Sequence, residues 1–206
     1  MPAFTAPDGT ELASHVMGDG EPLLCLPGGP MRASAYLGTL TLVTARARAL
    51  GVDFTEKHRR EAAALRKDEP WFADANKSYE RIRAGSAVDA DWDSVAPFFY
   101  GRWDKAARAH AATDVEQSNE EAADLYASPD AFDPVGARAV VTGWEARVLV
   151  LAGELDSGPL PRVADEIAEL FREAESAVLP GAGHFPWLDD PRRFTETVTA
   201  FLDQDH

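Results

Sequence analysis

The sequence is short of cysteine, short of positive charge and without any long apolar run, and each shortage excludes a class of protein. Its single cysteine, Cys25, cannot close a disulfide within the chain, which predicts a reducing, intracellular setting. Lys and Arg number 20 against 35 Asp and Glu, leaving a net charge of -15. Phosphate contacts need clustered basic side chains, so this balance predicts neither nucleic acid nor an anionic membrane as a partner. The carboxylates read instead as a solubilising surface. No apolar stretch approaches the roughly 18 residues that a membrane-spanning helix requires. The opening residues MPAFTAPDGTELAS carry neither a basic head nor an apolar run, so no secretory signal is expected. Metal-ligand spacing of His, Cys and carboxylates is absent as well, and no metal is predicted. These exclusions leave a soluble, cytoplasmic protein.

What is present reads as one α/β domain. Residues 10–17 and the apolar run Pro22–Leu26 read as strands, the second closed by the turn Pro27-Gly28-Gly29-Pro30. A further β-branched run spans 40–44. From Asp53 to about Ala137 the composition turns to Ala, Glu, Lys and Arg, which favours helices. Aromatic residues gather between these helices at Trp71, Phe72, Phe99, Tyr100 and Trp103. The last third alternates again: a strand at 147–153, an amphipathic helix at 161–174, a strand at 176–180, and a helix from Pro191 to about Leu202. Strands alternating with helices predict a mostly parallel sheet flanked by helices.

Ligands of open α/β sheets bind beyond the carboxyl ends of the strands, and three strand ends here carry suggestive residues. Gly28 and Gly29 follow a buried strand, where backbone N–H groups can face a substrate oxygen as an oxyanion hole. Asp156 follows the strand at 147–153, where a carboxylate can orient a histidine. His184 lies in Gly181-Ala182-Gly183-His184, a loop expected to leave it exposed and mobile and suited to general-base work. The other four histidines have plainer settings, in a strand (His15), in helical segments (His58 and His110) and at the terminus (His206).

Taken in order, LPGGP, LAGELD, GAGHFPWLDDP and a helical insert with FFYGRW resemble the proline iminopeptidase branch of the α/β-hydrolase superfamily. Residues up to about 37 resemble the beginning of that family, and residues from about 41 to 204 its second half. The resemblance implies an α/β-hydrolase fold with a helical cap. Residues 1–52 form the N-terminal part of the core, 53–137 the cap and 138–206 the C-terminal part. It implies Asp156 as triad acid, His184 as triad base, Gly28 and Gly29 at the oxyanion position, and no cofactor. A small-molecule or peptide substrate would meet an aromatic, acid-bearing pocket under the cap. For any one of those aromatics, packing of the helices is the plainer expectation.

The family's nucleophile is not in the chain. Its G-x-S-x-G elbow presents a serine above the sheet, and none of the nine serines has glycine two positions away on both sides. The family order also calls for two more strand–helix units, roughly 60–80 residues, between the oxyanion loop and the run at 40–44. Such a gap predicts unpaired strand edges and a rearranged N-terminal half. Ser34 is the best placed substitute nucleophile, ahead of Cys25 and Ser157, and none has the family setting. The expectation is a hydrolase-family protein whose ancestral amide or ester hydrolysis is absent or weak. The alternatives are a non-catalytic small-molecule or peptide binding protein and a chain without a stable fold. The sequence sets no oligomeric state.

Overall fold

The computed structural model describes residues 3–5, 9, 11–13, 46–52, 55–113, 116, 124, 128, 131–158 and 160–205. The expected strands at 22–26 and 40–44, the Gly28–Gly29 turn, Cys25 and Ser34 lie outside the described residues. Near the start, Ala3–Thr5 (β1) and Glu11–Ala13 (β2) pair antiparallel, with Phe4 opposite Leu12.

Helices follow: Arg46–Ala49 (α1), Glu56–Ala64 (α2), Phe72–Arg83 (α3), Asp89–Val95 (α4), a 3-10 turn at Ala96–Phe99, and Lys105–Ala111 (α5). Asp104 starts α5 by accepting from the N–H groups of Ala106 and Ala107 at 2.9 and 3.0 Å, which satisfies two of the donors a helix start leaves unpaired. Phe98 centres an apolar cluster with Ala63 and Ala75, and the rings of Trp71, Phe72 and Tyr79 meet it edge-on. Pro134–Thr142 (α6) is capped by Asp133 and runs through residue 137, where the sequence suggested the helical insert would end.

The last third contains Val148–Gly153 (β3), Pro161–Ala168 (α7), Ala174–Leu179 (β4), Pro186–Asp189 (α8) and Pro191–Leu202 (α9). The strands β3 and β4 are parallel and in register from Val148 opposite Ala174 to Gly153 opposite Leu179. The two-residue period of a strand sends alternate side chains to opposite faces. Val150 and Ala152 pack on Val163, Ala164 and Ile167 of α7, while Leu151 joins Leu179 and Phe194 of α9. Each face of the short sheet therefore receives one helix, although Glu175, Ser176 and Val178 of β4 stay exposed.

The helix expected over 161–174 stops at Ala168. Leu170 and Phe171 donate three residues back, to Ile167 and Ala168, tightening the chain into a turn. The register explains the early stop. Ala174 must lie opposite Val148, so the chain needs residues 169–173 to return to the sheet. Leu170 and Phe171 still pack against the core as their spacing suggested.

Candidate active site

The end of β3 and the loop after β4 are stitched together by backbone. Glu154 donates to the Leu179 carbonyl at 3.0 Å and Leu155 to that of Ala182 at 2.8 Å. The Glu154 carboxylate in return accepts from the Gly181 N–H at 2.8 Å. Such closeness explains Gly153: a Cβ there would run into the carbonyl oxygens of Ala182 and Gly183. With both strand ends locked, the two residues singled out on them face each other.

His184 Nδ1 lies 2.9 Å from Asp156 Oδ1. The same oxygen accepts from the Gly158 N–H at 2.8 Å, which holds the carboxylate in its turn. A carboxylate only accepts, so Nδ1 is the donor and Nε2 is the basic nitrogen of the ring. Asp156 is 3% exposed. The His184 side chain is 19% exposed. The expectation of an exposed histidine is corrected by this setting. Its N–H donates to the Phe99 carbonyl at 2.8 Å, and its ring meets those of Phe99 and Phe185 edge-on at 5.7 and 5.2 Å. Gly181 supplies a positive φ, and Gly183 serves close approach. A Cβ on Gly183 would lie 2.7 Å from the Gly101 nitrogen and the Phe99 carbonyl oxygen.

The aromatic residues of the helical insert divide between packing and the site. Trp71 and Phe72 pack on Phe98, and Tyr100 and Trp103 pack with Phe185. Phe99 is the one beside His184, and at 39% exposed it still presents part of its ring to solvent. Sequence reasoning placed Phe99 among several pocket candidates but missed its carbonyl as the anchor of the histidine.

It missed Asp189 altogether. This carboxylate accepts from Gly101 and Gly183 N–H groups, both at 2.8 Å, and from that of Arg102 at 3.3 Å. The only sequence signal was an acidic residue five positions after the histidine. Gly28, Gly29 and Ser34, the oxyanion and nucleophile candidates, lie outside the described residues. Ser157 is next to Asp156 in the chain, as expected, and no hydrogen bond joins it to His184.

A cleft of about 350 Å³ opens nearby, lined by Glu61, Leu65, Glu154, Leu160, Pro161 and Arg162. Two of its three charged residues are already joined by the Arg162–Glu61 ion pair at 2.7 Å. Among the described residues, no three His, Cys, Asp or Glu side chains gather where they could hold a metal ion. No helix among them is long and apolar enough to cross a membrane.

No protein-family model matches the chain, and no curated protein sequence does. Among solved structures it is similar to an esterase from Exiguobacterium antarcticum, at 15% identity and a TM-score of 0.47, over 70% of this chain and 48% of that one. It is similar to the proline iminopeptidase of Mycobacterium smegmatis at 24% identity and a TM-score of 0.47, over 72% of this chain and 53% of that one. MenH from S. aureus aligns at 15% identity and a TM-score of 0.47, over 74% and 55%. The chain thus spans about half the length of these structures. Every one of these TM-scores is below 0.5, so the functional reading rests on the geometry of the chain itself.

Proposed function

We propose that this chain is a protein of the α/β-hydrolase type that carries the acid–base half of an acyl-hydrolysing site. The ancestral reaction is hydrolysis of an amide or ester bond in a small-molecule or peptide substrate. One observation carries the reading: the 2.9 Å contact of His184 Nδ1 with a buried carboxylate, made between the ends of two adjacent parallel strands. Asp156 holds the imidazole with Nε2 as the base and stabilises the ring once it is protonated. Nε2 accepts a proton from an attacking hydroxyl or water, and the same proton passes to the leaving amine or alcohol as the acyl bond breaks. In this proposal the Gly28–Gly29 turn supplies oxyanion donors, residues 53–137 form a cap, and residues 1–52 and 138–206 form the core. Without the serine of the family elbow, water is the attacking group, so turnover is very slow or nil. The proposal includes a cytoplasmic location and no nucleic-acid, membrane or cofactor partner.

The test combines fluorophosphonate labelling with assays on nitrophenyl esters and aminoacyl nitroanilides. The expected result is no labelled serine and slow ester turnover that falls on the order of 10²-fold in H184A, the usual worth of a general base. Labelling of Ser34 would instead mean a rebuilt nucleophile. Turnover that survives H184A unchanged defeats the acid–base reading. Saturable binding of a peptide or ester without turnover moves the function to a binding protein.

A further inference from the structure

His184 is held from its main chain as well as from its ring. Its own N–H is taken by the Phe99 carbonyl, and the N–H of Gly183, directly before it, by Asp189 Oδ2. The same oxygen takes the N–H of Gly101, two residues beyond Phe99, and Asp189 Oδ1 takes that of Arg102. A single carboxylate therefore binds the histidine loop and the segment that anchors the histidine. Arg102 returns a side-chain bond to the Asp189 carbonyl at 2.8 Å. On the other side of the segment, the buried Arg66 guanidinium donates to the carbonyls of Tyr100 at 2.6 Å and Gly101 at 3.2 Å. The strip from Tyr100 to Arg102 thus lies between a cation on its carbonyls and an anion on its N–H groups. Asp189 is the last residue of a four-residue helix, so capping its own helix start does not account for these bonds.

We propose that Asp189 is a positioning residue for the His184–Asp156 pair, holding the histidine backbone so that Nδ1 stays on the Asp156 carboxylate. The proposal rests on the acid–base reading above. The ring has two rotatable bonds beyond its Cα. If the backbone at Gly183 or Phe99 shifts by even a fraction of an ångström, the Nδ1 bond lengthens or its angle opens, and hydrogen bonds weaken steeply with angle.

The experiment uses the full chain labelled with 15N-histidine and reads the His184 ring by NMR. In the unaltered protein the expected signature is a single tautomer with a low-field, slowly exchanging Nδ1 proton. D156A removes it, which tests the acid–base pair itself. D189A is expected to lose or broaden the same proton while circular dichroism still reports a folded chain. D189N, with a neutral amide oxygen in place of the charged acceptor, is expected to speed exchange of that proton several-fold. D190A, which alters only the neighbouring helix cap, is expected to leave the signal in place even where the melting temperature falls, so general destabilisation is told apart from positioning. An unaltered signal in D189A, with D156A losing it, overturns the proposal and leaves the pair intact. A signal that D156A does not alter overturns the acid–base reading itself. Should D189A not fold, the D189N exchange rate decides, and an unchanged rate overturns the proposal.

Discussion

The helical stretch from Glu56 to Ala111 and the strand–helix–strand unit from Val148 to Leu179 are held together by different chemistry. In the first, two charged side chains are buried, one in the turn after α2 and one in α4. Arg66 is 2% exposed and serves backbone carbonyls, and Asp91 is 1% exposed and pairs with Arg81 across α3 and α4. In the second, the interior is Val150, Val163, Ile167 and Leu179, and Asp156 is the one charged residue buried among its described residues. Arg66 ties the turn after α2 to the Tyr100–Gly101 segment, and Asp91 ties α4 to α3. At the end of the parallel pair the buried carboxylate accepts from one backbone N–H, that of Gly158. It also faces a histidine, the partner that the proposed acid–base reading uses.

The comparison breaks first where apolar packing is said to dominate. Ile167 is 1% exposed between α7 and the sheet. Ile167→Ala is expected to cost about 2–5 kcal/mol in urea unfolding, from lost transfer energy and the cavity left behind. A cost under about 1 kcal/mol would mean that the unit is loosely packed and that Asp156 does not sit on a rigid platform.

Next in size is the buried guanidinium. Arg66→Met keeps most of the side-chain volume over the Trp71 ring, where the guanidinium lies 4.9 Å from the ring centre. It leaves the Tyr100 and Gly101 carbonyls without their donor. The expected loss is about 2–4 kcal/mol, since unsatisfied buried acceptors cost more than a hydrogen bond normally contributes. Arg66→Lys is expected to recover only part, because an ammonium lacks the planar fork that reaches both carbonyls. If methionine proves neutral, packing holds this region too, and the contrast between the two regions fails.

How much of this was legible in the sequence follows the same division. The start of α9 was readable because Pro191 is a local start signal, a first-turn proline. That Asp156 and His184 lie beyond strand ends was readable, because the apolar run Val148–Ala152 and the shorter Ala177–Leu179 each announce a strand. The end of α7 was not, since it is set by strand register rather than by any local stop residue. Nor was the role of Asp189 or of Phe99. Gly101 and Asp189 are 88 positions apart, and nothing local marks a carboxylate that will accept from distant backbone. The exposure expected for His184 was wrong for the same reason: its loop glycines were read as freedom, and tertiary contact packs Gly183 closely against Phe99 and Gly101.

The buried acid of the helical stretch gives a pH test of the contrast. Bonds from Arg81 above all, then the Val88 N–H and Ser78, hold the Asp91 carboxyl well below the usual carboxylate range. A carboxylate with a lowered value in the folded state stabilises above the unfolded value, about 3.9. That stabilisation is lost as pH falls through the folded value. The stability difference between the unaltered protein and D91N is therefore expected to be complete at pH 7 and to shrink as pH is lowered below about 4, measured by urea unfolding at each pH. A difference independent of pH over that range would remove the charge from the account of how α3 and α4 are joined.

The smallest effect expected is the most informative about location. Asp190 follows Asp189 directly, yet its side chain meets Arg193, accepting from its N–H at 3.0 Å as the cap of α9 and pairing with its guanidinium at 3.8 Å. Asp190→Ala is expected to cost about 1 kcal/mol, the ordinary worth of such a cap, seen as a modest fall in melting temperature. It touches none of the backbone that holds His184, so slow ester turnover measured well below the melting point should not change. Two adjacent aspartates would then separate cleanly, one acting on a helix start and the other on the histidine loop. If D190A instead lowers turnover as much as D189A does, the loop senses the stability of α9 as a whole. Asp189 would then owe its apparent role to the helix behind it.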